Sequence, residues 1–276
     1  MLVDAHAHLV TDDPAYPRSA PAGQDNLMRA ESLLDALRDN GLHGAVAVQR
    51  AHVYGYDNSY VLDSARNHPD RLRAMCVLDA QAPDADKTVH DLADRGAAAL
   101  RLTAPGGNQH TGPAGAAWFA GAEARRVWAA AEETGLSMCL HVYRWNRDDV
   151  LRALPAVVRG FPGVPVVLDH VASVDVADRE TGLLLALVDL PQVYVKVTTL
   201  NFAQLARADR DPGPLVEWLA AHFGAGRLLW GSDVTQTRGA YADMVTTARR
   251  AVAGLSEPDA ARVLGGTAAQ LYRLGG

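Results

Sequence analysis

Short apolar runs alternate along the chain with stretches in which apolar residues recur every three or four positions. The runs are Leu2 to His8, Gly44 to Gln49, Leu72 to Leu78, Ala97 to Leu102, Ser137 to His141, Pro165 to His170, Val193 to Val197 and Arg227 to Gly231. Each has the length of a strand, and most are apolar at nearly every position, as a parallel strand covered on both faces must be. Between the runs, Ala30, Leu33, Leu34 and Leu37 share one helical face, as do Ala85, Val89, Leu92 and Ala93, and Tyr241, Met244, Val245 and Ala248. Asn40-Gly41, Gly96, Thr134-Gly135 and Gly160 supply helix stops, and Pro69 after His68 forbids continuation of the helix before it.

Eight strands alternating with helices predict an α/β fold, a (β/α)8 barrel, as a single domain over residues 1–276. Ser256 to Leu264 and Thr267 to Leu274 read as two short closing helices. The competing arrangement, a doubly wound open sheet, wants a glycine-rich phosphate turn after the first strand, where this chain has His6-Ala7-His8. Two segments interrupt the repeat, the proline-rich Pro14 to Gly23 and the glycine-rich Ala104 to Gly115. Both follow the C-terminal end of a strand, where the active-site loops of a barrel lie, so they are read as pocket wall or lid. For Pro14 to Gly23 a plain surface loop is the alternative.

Composition narrows the field. With 276 residues, 49% hydrophobic and 21% charged, the chain can bury a large core. A net charge of -6 argues against sequence-independent binding to nucleic acid. Cys76 and Cys139 each sit in an apolar run and read as small core side chains, not as a disulfide or metal pair. The chain opens on a strand and has no apolar run of membrane-spanning length, so the expectation is a cytoplasmic protein with no signal peptide and no membrane contact. Nothing in the sequence decides between a monomer and a homo-oligomer.

Chemistry enters at the strand ends. Asp4, His6 and His8 alternate along the first strand, and alternation puts side chains two apart on one face. Two converging imidazoles are half of a metal site, or a pair of groups that orient a water or a carbonyl. At the same ends stand Gln49, Arg101, His141, Asp169-His170 and Asp233, with Lys196 inside the seventh strand. The barrel therefore gathers them at its C-terminal face, where this fold keeps its active sites. His43, His68, His90 and His222 lie on or near helices and are set aside as solvated side chains. Arg101, embedded in Ala97-Ala98-Ala99-Leu100-Arg101-Leu102, needs an anionic partner.

Six stretches carry a family resemblance: Val3-Asp4-Ala5-His6-Ala7-His8; Val48-Gln49 with Tyr54-Gly55-Tyr56-Asp57-Asn58; Val167-Leu168-Asp169-His170; Val193-Tyr194-Val195-Lys196; Leu229-Trp230-Gly231-Ser232-Asp233; and Ala268-Ala269-Gln270-Leu271-Tyr272. With them the chain resembles the amidohydrolase superfamily, its amidohydrolase-related branch of lactone hydrolases and decarboxylases, and within that branch the 2-pyrone-4,6-dicarboxylate lactonase-like group. The resemblance implies that Asp233 activates water or shuttles a proton, and that His6, His8 and His170 shape the site around a scissile carbonyl. Arg101, Gln49, His52, Tyr54, Tyr143, Arg144 and Lys196 are the candidates for holding a small anionic substrate.

Two departures from the group matter. It works without metal and lacks a His at strand five, whereas Leu140-His141-Val142 stands here. His6, His8, His141 and Asp233 then make a complete mononuclear site for one divalent ion, zinc first, of the kind in zinc-dependent lactonases and metal-dependent decarboxylases. No lysine ends strand four, so a binuclear site is not expected. Asp233 is followed by Val234-Thr235 where the group usually has a Trp-Pro pair, which changes the pocket floor. The reading is a hydrolase that opens a lactone ring in a small carboxylated metabolite. A metal-dependent non-oxidative decarboxylase is the alternative, and a degenerate barrel kept as a binding protein ranks last because no catalytic group is missing.

Overall fold

The computed structural model describes residues 1–19, 27–105, 115–175 and 182–275. Eight parallel strands, β1 (Val3–His8), β2 (Gly44–Val48), β3 (Leu72–Val77), β4 (Ala97–Thr103), β5 (Ser137–His141), β6 (Val166–Leu168), β7 (Val193–Thr198) and β8 (Leu228–Gly231), pair in sequence order. The barrel closes where β8 meets β1. Ser232 N donates to Asp4 Oδ1 (2.8 Å), Asp233 N donates to His6 O (2.8 Å), and Ala7 bridges Val234. Gly231 is required at this seam, because a Cβ there would strike the backbone and Cβ of His6. The (β/α)8 barrel read from the periodicity is the observed fold. Among the described residues no helix is long and apolar enough to cross a membrane.

Strand residues alternate between two apolar layers. Ala45, Ala47, Leu72, Leu100, Leu140 and Leu228 belong to the layer shared with the surrounding helices. Val46, Val48, Met75, Ala99, Cys139, Val167 and Leu229 fill the interior, where Ala268 and Tyr272 of the helix Thr267–Tyr272 join them together with Leu274. The interior is thus packed and apolar at one end, which leaves the C-terminal end of the strands for polar groups. The segment expected as one closing helix from Ser256 is a short helix, Glu257–Ala261, followed by a wider turn at Arg262–Gly266.

Strand β1 breaks the simple alternation. Asp4 pairs with Ala45 and Ala7 with Ala47, so three steps on β1 oppose two on β2. This bulge turns Asp4 to the outer layer, where its Oδ2 accepts from Tyr241 OH (2.9 Å), while His8, paired with Val48, points inward. Asp4 therefore does not share a face with His6 and His8, contrary to the alternation.

The sixth strand also ends early. Instead of running to His170 it stops at Leu168, and His170, Val171, Ala172 and Ser173 all have φ between 51° and 55°. A left-handed turn of four non-glycine residues costs about 1–2 kcal/mol per residue. It is held by Asn201 Nδ2 donating to His170 O (3.2 Å), by Ser173 Oγ donating to Val142 O (2.6 Å), and by the burial of Val171 and Ala172. Of the interrupting segments, residues 20–23 and 106–114 lie outside the described residues. Ser19 N donates to Val53 O (2.7 Å), and Ala104 and Pro105 line the main cavity.

Candidate active site

A cavity of about 800 Å³ opens at the C-terminal end of the barrel. His8, His52, Arg101, His141, Tyr143, Arg144, His170 and Asp233 line it, as does Arg50, which the sequence reading did not single out. His6 lies just behind, fully buried. Among the described residues, two groups of candidate ligand atoms lie within 4.8 Å of one another: His6, His8 and Asp233, and His6, Asp169 and His170.

In the first group, His6 Nε2 is 3.2 Å from His8 Nε2, and Asp233 Oδ1 is 3.5 Å from the first and 3.4 Å from the second. The hydrogen bonds behind these atoms fix what they present. His8 Nδ1 lies 2.8 Å from Val48 O, and a carbonyl only accepts, so the proton is on Nδ1 and Nε2 is a bare lone pair. His6 Nδ1 stands 3.3 Å from both Asp169 Oδ1 and Lys196 Nζ, and in the tautomer that donates to the carboxylate its Nε2 is bare as well. Thr237 Oγ1 donates to Asp233 Oδ2 (2.8 Å), while buried Oδ1 has no hydrogen-bond partner. Three electron-rich atoms at this spacing repel one another unless a cation or a shared proton lies among them. Their separations match those of tetrahedral ligands on zinc, about 3.4 Å for bonds of about 2.1 Å.

Burial keeps His6 and His141 well below the usual imidazole range, so both are neutral. Burial alone would push Asp233 up. The facing His8, His170 and His6 imidazoles more than offset it, and the carboxyl stays well below the usual carboxylate range.

His170 is positioned by a relay. Thr198 N donates to Asn201 Oδ1 (3.0 Å) and Asn201 Nδ2 donates to His170 O, which fixes the amide. The Thr198 hydroxyl then donates to Asn201 Oδ1 (3.2 Å) and accepts from His170 Nδ1 (2.7 Å). The His170 proton is therefore on Nδ1, leaving Nε2 as an acceptor. The signal for Thr198 and Asn201 in the sequence was their capping-box spacing, which reads as a helix start and nothing more.

Asp169 organises the opposite wall. Its Oδ1 is 2.8 Å from Lys196 Nζ and its Oδ2 accepts from Arg101 Nε (2.7 Å). Burial pushes this carboxyl up, but Lys196, His6 and Arg101 outweigh it and hold Asp169 ionised. Among the described residues the Arg101 Nη groups have no hydrogen-bond partner, and the residue lines the cavity.

Three residues expected on the substrate, Lys196, Gln49 and Tyr54, do not line the cavity. Lys196 is fully buried under Asp169 and does not reach the cavity. Gln49 Nε2 donates to Gly55 O (2.9 Å) and Asp57 O (2.8 Å), so it ties down the loop after β2. Tyr54 OH accepts from Thr11 N (2.9 Å) and is buried away from the cavity. Arg144 is at the rim, paired with Asp175 (3.2 Å). His141, expected as the third imidazole ligand, belongs to neither ligand group; it packs at an angle against Tyr143 and edge-on to His170 with its buried Nδ1 unpartnered.

Known proteins bear on this geometry. A curated L-fucono-1,5-lactonase of Burkholderia ambifaria is 32% identical over 139 residues, which is 45% of this chain and 47% of that protein, so the match takes in about half of the relative's length. Among solved structures, a probable 2-pyrone-4,6-dicarboxylic acid hydrolase from Acinetobacter baumannii, with citric acid bound, has a TM-score of 0.78 at 19% identity over 99% of both chains. An amidohydrolase from Burkholderia multivorans with bound zinc follows at 0.76 and 21% over 99% of both chains. A 2,6-dihydroxybenzoate decarboxylase from Rhizobium scores 0.73 at 13%, covering 100% of this chain and 99% of its own. These structural likenesses show the shared fold. The sequence profile described as "Amidohydrolase" matches residues 3–274, and the chain belongs to the amidohydrolase family.

Proposed function

We propose that the chain is a hydrolase that opens the lactone ring of a small anionic substrate, within one catalytic domain. The observation that carries this reading is the convergence of His6 Nε2, His8 Nε2 and the unpartnered Asp233 Oδ1 at the floor of a cavity with Arg101 on its wall. The match to a lactonase over half its length supports it.

His6, His8 and Asp233 would hold one divalent ion, zinc being first in line for two imidazoles and a carboxylate with a position left open. Bound there, the ion polarises a carbonyl and lowers the pKa of water. The chain's own groups do the rest. His170 Nε2, kept unprotonated by Thr198, accepts a hydrogen bond from the attacking water and aims it. Asp233 Oδ1 takes the water's proton and passes it to the departing ring oxygen. The Arg101 Nη groups donate to a carboxylate or to the developing oxyanion, with Asp169 fixing the guanidinium from behind. His52 and Tyr143 complete the wall.

One observation favours a second reading. The buried, unpartnered His141 Nδ1 beside the cavity is a proton donor or acceptor that lactone hydrolysis does not use, and protonation of a carbon during decarboxylation would use it. The test is elemental analysis of protein purified without chelator, followed by acid release on a lactone panel and carbon dioxide release on aromatic acids. One equivalent of metal with acid release supports the proposal. Carbon dioxide release without lactone turnover replaces it with the decarboxylase.

A further inference from the structure

Arg50 is a buried charged side chain on the cavity wall that lactone opening, as described above, leaves without a role. It is 5% exposed, and its bonds all go to neutral groups: Nε to His52 Nε2 (3.0 Å), Nη1 to Thr235 Oγ1 (3.1 Å) and Nη2 to Gln236 Oε1 (2.9 Å). These use three of the five guanidinium donors and leave one on each Nη. Arg101 differs, being neutralised by Asp169. Asp233 acts on Arg50 through space without pairing with it, and a buried guanidinium without a paired carboxylate is costly unless an anion completes it. The cavity, which Arg50 lines beside His52 and Gln236, is where that anion can reach it. Asp233 and Thr235, with φ of 55° and 74°, form the turn that Arg50 clamps, so the two open donors belong to the Asp233 side of the site.

We propose that Arg50 is a second carboxylate seat, separate from Arg101, over the turn that carries Asp233. This rests on the lactonase reading only for the source of the carboxylate. Hydrolysis adds water across the ring C–O bond, giving a hydroxyl at one end and, after loss of a proton, a carboxylate at the other. The seat then takes either that new carboxylate or one the lactone already carries.

Calorimetric titration with citrate tests the seat without any turnover. Arg50→Met and Arg50→Gln are expected to weaken citrate binding about tenfold, and Arg50→Lys to keep it within about threefold, as loss or retention of one charge-assisted contact implies. No citrate uptake by the wild-type protein, equal binding by all variants, or a Gln variant as good as Lys would overturn the proposal. Kinetics on D-glucono-1,5-lactone, which is neutral, and D-glucaro-1,4-lactone, which is carboxylated, then separate the sources. A KM increase in Arg50→Met confined to the carboxylated lactone assigns the seat to a substrate carboxylate. Unchanged KM with weaker inhibition by gluconate assigns it to the new one. A wild-type protein that binds citrate through Arg50 yet opens neither lactone keeps the seat and removes the lactonase reading.

Discussion

Asp169 and Asp233 stand at the ends of strands β6 and β8, both fully buried, both ionised, and both within 3.5 Å of His6. Their surroundings separate them. Asp169 is held by Lys196 and Arg101, two full charges at 2.8 and 2.7 Å. Asp233 faces imidazoles and a threonine hydroxyl, and among the described residues no Lys or Arg pairs with it. A carboxylate already neutralised by two cations has little left to offer a ligand or a proton. One kept ionised among lone pairs is ready for both. The difference assigns Asp169 to holding the site together and Asp233 to its chemistry.

The largest expected effect falls on stability. Asp169→Asn leaves Lys196 and Arg101 as uncompensated buried cations, so unfolding free energy should fall by about 3–5 kcal/mol in denaturant titrations. The pH dependence has a definite sign. A carboxyl whose folded pKa is depressed contributes stability that is complete above its unfolded pKa, about 3.9, and is lost as pH falls through the folded value. Wild-type protein should therefore lose stability below about pH 4 more steeply than Asp169→Asn. Parallel acid limbs would remove the structural role given to Asp169.

Asp233→Asn should act on rate. It keeps the side chain's shape and the Thr237 contact but removes the base, so kcat should fall by about 10²-fold or more, with a far smaller change in stability than Asp169→Asn. Metal content must be measured on the same preparation, because Asp233 is also a proposed ligand. Near-normal turnover with metal bound would transfer proton handling to His170.

Arg101→Met joins the two regions. Loss of a bidentate donor should raise KM about tenfold. The melting temperature should drop less than in Asp169→Asn, since Lys196 still neutralises Asp169. An unchanged KM would mean that the substrate is not held there.

The contrast between the two aspartates was only half legible in the sequence. Continuous apolar runs such as Ala97 to Leu102 fixed the strands, because burial on both faces dictates composition. The ends of those strands pointed to His6, His8, His170 and Asp233 for the same reason. What failed depended on contacts between distant residues. Arg101 and Asp169 are 68 positions apart and Lys196 and His6 are 190 apart, so no local pattern announces that Lys196 is an internal counter-ion and not a substrate contact. The β1 bulge that turns Asp4 outward and the left-handed turn at His170 contain no glycine, and residue type is the usual local sign of such backbone. Arg50 was overlooked because its role follows from the absence of a carboxylate, which only the folded cavity reveals.

The smallest expected effect tests how far the readiness of the Asp233 side depends on its neighbours. Thr198→Val keeps the size of the side chain and removes the acceptor for His170 Nδ1–H, so the imidazole is free to change tautomer or rotate. The expected result is a kcat lowered about three- to tenfold with KM nearly unchanged, because orienting a water contributes to the transition state more than to substrate binding. Thr198→Ser, which restores the hydroxyl, should recover most of the rate. Nitrogen chemical shifts of His170 give a readout that a merely structural role would not move. They should report the Nδ1–H tautomer in the wild type and the serine variant, and a mixture in the valine variant. If the valine variant keeps a pure Nδ1–H tautomer and full rate, the relay through Asn201 is packing, and the aim of His170 comes from the strained turn alone.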